Sequence, residues 1–377
     1  MRIGSPRFVP CISLAARAWR MVPFGSAIGS RTAEVARRES GVQTTDCRRP
    51  GASKPFEKIV KGAADIFRFL MDRSQHGERT ALVTITDVIG SSSRSPGTHM
   101  AVSETGVYRG SISGGCVEAA VVGEAKRVIE NGQTELLRLG AGSRFIDIRL
   151  PCGGGLDLLI TPEPSPAALD QALGGLKQRT PIRLALGRDG LLAVSPASDD
   201  RPAGWDGDHF VVRHDPELRI VILGHGAETE ALAALACRYG ADVVILSPDE
   251  TIVESVDRLG AQSWLLKTPA RSPHLRSDKD TAVVTLFHDH DWESELLEQA
   301  LEQDAFFIGA MGSRRTHALR LAALTERGVP PSSLARITGP IGLIPATRDP
   351  DTLALSTLSQ IVACHQQRRS AQWTEDA

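Results

Sequence analysis

Arg219-Ile220-Val221-Ile222-Leu223-Gly224-His225-Gly226-Ala227-Glu228-Thr229 decides how the second half of the chain folds. Four apolar residues run into a Gly-x-Gly turn. A helical stretch then continues to Tyr239 and stops at Gly240. Strand, tight turn and helix follow from that pattern, with glycine ending the helix. Downstream, apolar β-type runs at 242–246, 263–266, 282–287 and 305–308 alternate with helical patterns at 252–259, 292–303, 315–327 and 351–365. Strands alternating with helices predict a doubly wound parallel sheet, a Rossmann-like domain over 217–367 with a short tail at 368–377. The dinucleotide fingerprint is imperfect. Its third glycine is replaced by Thr229, the strand end that should carry a ribose-binding acid is Ser247, and Asp249 lies two residues further on. These departures argue against NAD(P), although an NAD(P)-dependent oxidoreductase using the Gly224 turn stands as the alternative reading.

Upstream the pattern changes. Residues 56–71 place Ile59, Ala63, Ile66, Phe67 and Leu70 at helical spacing, and 81–88 is rich in β-branched residues. Residues 98–102 and 106–110 read as a hairpin, 117–130 as a helix stopped by Asn131-Gly132, and 135–139, 145–150 and 156–161 as strands. The segment 167–216 reads as a helix followed by three strands, either the end of this domain or a connector. The expectation is a mixed α+β N-terminal domain with connector over 56–216, hinged to the Rossmann-like domain near Thr161–Pro166. Residues 1–55 carry many arginines and serines but only three acids, Glu34, Glu39 and Asp46. They read as a disordered extension, such as a start codon assigned too far upstream would add.

The 377 residues carry a formal net charge of -2, which gives the whole molecule no electrostatic footprint for nucleic acid. No apolar run is long enough to cross a bilayer. The six cysteines are scattered, with no Cys-x-x-Cys pair, so a disulfide framework or structural zinc is not expected and a reducing, cytoplasmic setting is.

Two cysteines stand apart from the rest. Ser113-Gly114-Gly115-Cys116-Val117-Glu118 and Leu150-Pro151-Cys152-Gly153-Gly154-Gly155 each present a thiol on a backbone with almost no side-chain bulk. Cys116 falls at the start of the expected 117–130 helix, where unpaired N–H groups and the dipole lower a thiol pKa, while Glu118 opposes that effect. Such a thiol suits a nucleophile, a sulfur carrier, or a ligand for a soft metal such as molybdenum or copper. Ile308-Gly309-Ala310-Met311-Gly312-Ser313-Arg314-Arg315-Thr316 is a second strand, glycine turn and helix start, with two arginines that would suit a phosphate or oxyanion. His288-Asp289-His290-Asp291 ends a strand and offers either a metal pair or a ligand contact with a helix cap.

These pieces together with Gly90-Ser91-Ser92-Ser93-Arg94-Ser95-Pro96-Gly97 and Gly339-Pro340-Ile341-Gly342-Leu343 resemble the XdhC/CoxI family, accessory proteins of xanthine and carbon monoxide dehydrogenases. The order and spacing agree from about Phe56 to Gln366. The resemblance implies a protein that is not a turnover enzyme. It would bind molybdenum cofactor (molybdopterin), help it gain a sulfido ligand from a cysteine desulfurase, and deliver it to an apo xanthine dehydrogenase-type molybdoenzyme. A homodimer is expected, with neither nucleic acid nor membrane as partner. Carried over residue by residue, Cys116 and Cys152 would meet the metal, with Arg94, Ser113, Gly114, Gly115 and Glu118 shaping that pocket. Gly224, His225, Gly226, His288, Gly309, Gly312, Ser313, Arg314 and Arg315 would complete the cofactor site. A sulfurtransferase acting through Cys116 is a further alternative.

Overall fold

A computed structural model describes residues 62–115, 117–140, 143, 153–288 and 290–374, and for residues 290 and 370–374 it describes the backbone. The first lobe opens with α1 (Ala63–Gln75), β1 (Thr80–Ile89), β2 (His99–Ser103), β3 (Tyr108–Gly110), α2 (Glu118–Asn131), β4 (Glu135–Gly140) and β5 (Gly155–Pro162). The strands pair antiparallel in the order β3-β2-β1-β5-β4. Seven of ten residues of β1 are buried in succession, because both faces of this sheet are covered. Ala81, Val83 and Ile85 pack with Val121, Ala125 and Val128 of α2, whereas Leu82 turns to the opposite face and meets Phe67 and Leu70 of α1. The two-residue repeat of a strand divides one apolar run between two cores. Gly132 ends α2 with φ 69°, as the sequence predicts.

The segment from α3 (Pro166–Lys177) through β6 (Ile182–Gly187), β7 (Leu192–Pro196), β8 (Gly204–Asp206) and β9 (His209–His214) forms a second antiparallel sheet, ordered β7-β6-β9-β8. It is no loose connector. Leu169, Ala172, Leu184 and Phe210 share one core with α1 and with Leu159 of β5. A hinge at 161–166 is therefore not what the fold provides: β5 runs to Pro162, Ser165 caps α3, and both flanks belong to the same core. Gly97 ties the two sheets closely, since a Cβ there would lie 2.6 Å from Val212 Cγ2.

His99 of β2 and His214 of β9 also join the sheets. Their Nε2 atoms lie 2.9 Å apart, and Thr84 Oγ1 lies 2.8 Å from His99 Nδ1. One Nε2 must donate and the other accept, so a second proton would set N–H against N–H. Burial lowers the pKa of both, and the neighbouring His214 lowers His99 further; His214 falls to about 4. The unfolded chain takes up these protons near 6.5, whereas the folded chain resists them. Their stabilising contribution is thus complete above pH 6.5 and shrinks as the pH falls toward 4. Thermal melts between pH 7 and pH 4 should show a falling midpoint, with a shallower fall in His214→Asn; a flat wild-type profile contradicts this.

The second lobe begins with β10 (Arg219–Gly224), α4 (Ala227–Tyr239), β11 (Asp242–Ser247), α5 (Glu250–Asp257), β12 (Gln262–Leu265) and β13 (Thr281–Leu286). It continues with α6 (Ser294–Leu301), β14 (Phe307–Ala310), α7 (Arg314–Glu326), α8 (Pro331–Leu334), β15 (Ile337–Thr338) and α9 (Pro350–Thr374). The sheet is parallel and ordered β12-β11-β10-β13-β14-β15, the doubly wound arrangement expected from the alternating pattern. One core lies under α4 and α9, the other under α6 and α7. Arg179, with φ 59°, reaches from the end of α3 to this lobe: it pairs with Asp278 and donates to the Glu217 carbonyl at 3.1 Å.

Candidate functional site

The first lobe gathers its glycine loops at one end of its sheet. Ile89 pairs with Gly155, which also pairs with Gly140, and Met100 pairs with Gly110. The chain therefore enters the 90–98, 111–117 and 141–154 connections from a common edge. Side chains then tie the loops together. Arg94 Nε donates to the Ser111 carbonyl at 3.2 Å, and Ser93 Oγ donates to the Ser113 carbonyl at 3.4 Å. A Cβ on Gly90 would lie 3.5 Å from Gly154 Cα. Cys116 and Cys152, the thiols carried by these connections, lie outside the described residues.

Glu118 organises the first cysteine loop. The residue is 5 % exposed. It accepts from the Ser111 and Ser113 hydroxyls at 2.7 and 2.8 Å and from the N–H groups of Ser113, Gly114, Gly115 and Val117 at 2.8–3.2 Å. Burial by itself would raise this carboxyl, but the hydrogen bonds from Ser111 and Ser113 prevail and hold its pKa at about 2. An internal carboxylate thus occupies backbone donors of the 113–117 loop that leads into α2. Glu118 fixes the loop shape, and Gly114 and Gly115 provide φ values of 85° and 118°. Among the described residues nothing lies within 4 Å of a Cβ built on either glycine.

The remaining predicted residues collect elsewhere, at the C-terminal edge of the parallel sheet. A Cβ on Gly224 would meet Thr229 Oγ1 at 2.6 Å and Leu286 Cβ at 2.8 Å, so only glycine lets α4 approach β13 this closely. Thr229 is fully buried, and its hydroxyl donates to the His225 carbonyl at 3.1 Å, filling the place of the fingerprint's third glycine. Asp249 caps α5, accepting from the Thr251 N–H at 2.9 Å. Its carboxylate therefore serves the helix start, where the fingerprint would use it for a ribose.

The His225 and His288 rings lie 5.9 Å apart, and His288 Nε2 is 3.6 Å from Glu228 Oε2. Among the described residues no group of three side chains suited to a metal is found; Asp289 and the His290 side chain lie outside them. Ser313 caps α7, accepting from the Thr316 N–H at 3.1 Å, and Gly312 has φ 136° with Thr316 directly behind it. Arg314 and Arg315 are exposed in the first turn of α7. Gly309 packs against Phe307 and Ile341.

Beneath the turn lies an ion pair that sequence reasoning missed. Glu293 and Arg320 meet at 2.8 Å with side chains each 2 % exposed. Thr285 Oγ1 donates to Glu293, and Arg320 donates to the Met311 carbonyl at 2.6 Å. The pair thereby holds the 311–313 turn in place.

Among the described residues, the two groups lie toward opposite edges of the parallel sheet. The lobes meet at the start of the parallel sheet, where Arg219 and Asp242 begin β10 and β11. Gly224 and its neighbours end those strands. Six residues of β10 separate the two edges, a span of roughly 17 Å. Between the lobes lies a cleft of about 1400 Å³, walled by Ser95–Thr98 and Gly110–Ser111 on one side and by Arg219 and Asp242 on the other.

With fold and geometry in place, the chain's relationships are informative. Residues 220–361 match the XdhC Rossmann domain, and residues 74–140 match the XdhC and CoxI family. Over 307 residues the chain is 36% identical to the molybdenum cofactor insertion chaperone PaoD of Escherichia coli (strain K12), covering 81% of this chain and 90% of PaoD. It is 27% identical over 201 residues to the uncharacterized protein YqeB of the same organism, covering 52% of this chain and 35% of YqeB. A crystal structure from Bacillus halodurans, described as a xanthine dehydrogenase, shares the fold with a TM-score of 0.65 at 20% identity, covering 80% of this chain and 96% of that one. The chain belongs to the XdhC and CoxI family.

Proposed function

We propose that this protein is a molybdenum cofactor chaperone. It holds the metallopterin as cargo, shields it, supports its sulfuration with a cysteine desulfurase, and passes it to an apo molybdoenzyme of the xanthine dehydrogenase type. It is an accessory factor and not a turnover enzyme. The observation that carries this reading is the kinship with PaoD across 90% of that chaperone's length. The gathering of the glycine loops at one sheet edge supports it. Cys116 and Cys152 are assigned to the molybdenum on the chemistry of soft thiolate ligands. Glu118 keeps the first loop rigid and the Gly114-Gly115 stretch leaves room for a flat, bulky guest. A homodimer in the cytoplasm belongs to the same proposal. Among the described residues no helix is long and apolar enough to cross a membrane.

The oxidoreductase alternative is not favoured. Thr229 fills the fingerprint's third glycine position and Asp249 is engaged as a helix cap.

Reconstitution tests the proposal. An apo molybdenum hydroxylase is mixed with limiting molybdenum cofactor in aerated buffer, with or without the full chain. The expected result is several-fold more active enzyme when the chain is present. Equal activation in both mixtures contradicts a chaperone role.

A further inference from the structure

The inter-lobe cleft is a concavity of about 1400 Å³, and no part of the family resemblance assigns it a role. Nine of its lining residues are arginine or lysine, against four aspartates and glutamates. The chain as a whole carries a net charge of -2, so this excess is local. A concavity lined by one sign of charge focuses potential and draws the opposite charge.

Three of the four acids, Asp200, Asp215 and Asp242, pin part of the basic wall through their carboxylates. Asp242 accepts from Arg219 at 2.7 and 2.9 Å, and Asp215 and Asp200 engage Arg213 at 2.7 and 2.5 Å. Glu217 contributes its backbone carbonyl, which accepts from Arg179. Those cations form a fixed floor. At the rim, Arg68, Lys177 and Arg201 are exposed, with Arg68 ion-paired to Asp65 on its own helix. Arg201 has its nearest carboxylate, Asp199, at 3.8 Å, and its side chain is 74% exposed. Tyr108, 46% exposed, adds a flat aromatic face to the same lining.

The cleft also adjoins the glycine loop directly. Arg94 and Ser111 line it, Arg94 holds the Ser111 carbonyl, and the Ser111 hydroxyl accepts from the Gly114 N–H at 2.9 Å. Hydrogen bonds thus link the basic wall to the loop that bears Cys116. The Ser313–Arg315 turn, the phosphate cradle expected from sequence, lies at the far edge of the parallel sheet.

We infer that the inter-lobe cleft is a binding site for a phosphate-bearing organic anion, and that it takes the phosphate end of the metallopterin. The second half of this inference rests on the chaperone reading; the first half does not. Guanidinium and ammonium groups on a concave wall suit phosphate oxygens, and the tyrosine face suits a planar ring beside them.

Pyrophosphate, which carries neither pterin nor metal, is the probe. It is titrated by calorimetry into the cargo-free full chain, into Arg68→Gln/Lys177→Gln/Arg201→Gln, and into Arg314→Gln/Arg315→Gln. The cleft variant is expected to bind about tenfold more weakly or worse, with a smaller salt dependence, while the turn variant binds like wild type. The substituted positions are all exposed, and circular dichroism checks that both variants remain folded. Equal affinity in the cleft variant, or a loss confined to the turn variant, overturns the site. A second arm asks whether pyrophosphate displaces metallopterin from the loaded chain. Displacement supports the cargo assignment. Pyrophosphate bound in the cleft with the metallopterin undisturbed overturns it and leaves a site for a free phosphate-bearing compound. A failure of the chaperone reading would appear as absent metallopterin retention, with pyrophosphate binding unaffected.

Discussion

Arg320→Leu should destabilise the protein by about 3–5 kcal/mol, the range for breaking a buried ion pair from one side. The substitution leaves the Glu293 carboxylate 2 % exposed with its cationic partner gone. It also removes the donor to the Met311 carbonyl, and with it the support of the 311–313 turn. Replacing both partners, Glu293→Gln with Arg320→Leu, removes the stranded charge, and the introduced amide oxygen can still accept from Thr285. The double variant should therefore recover a large part of the loss, giving a strong coupling in a double-mutant cycle. Urea denaturation of the four proteins measures this. Simple additivity of the two single effects would show that the pair is not the unit described here.

Much of the fold is legible in the sequence because local signals agree with tertiary demands. The pattern predicts a helix over 227–239, and α4 spans Ala227–Tyr239, since Gly226 precedes its first residue and Gly240, with φ 91°, follows its last. The parallel sheet follows from alternation alone. Strand β8, only Gly204–Asp206, is invisible in the sequence: its three residues carry no periodicity and owe their conformation to pairing with β9. The segment 167–216 is hard to place for the same reason. Its core contacts lie with α1 and β5, remote in sequence.

The site is legible as motifs but not as geometry. Glycine, cysteine and arginine in short runs mark the loops, yet nothing local reveals that the strands carry Gly224 and Gly312 away from Gly114. In the sequence Glu118 is only a charge opposing the thiolate. Its actual partners, four backbone N–H groups and two serines, arise from the curl of the glycine loop. The basic cleft escapes notice because its cations come singly from widely separated positions, from Arg68 to Arg369. No motif announces a surface assembled that way.

Removing both thiols should release the cargo. Each thiolate–metal bond is far stronger than a neutral hydrogen bond, whereas the glycine loops offer few other holds. Gly114 and Gly115 have no side chains, and the N–H groups of Ser113, Gly114, Gly115 and Val117 are already given to Glu118. The decisive measurement is metallopterin retention, with molybdenum and pterin assayed after gel filtration of the loaded full-length chain, wild type against Cys116→Ala/Cys152→Ala. The account predicts at least about a tenfold drop in retained molybdenum for the double variant, with an unchanged thermal midpoint. Wild-type retention by that variant would contradict it, and place the cargo away from both cysteine loops.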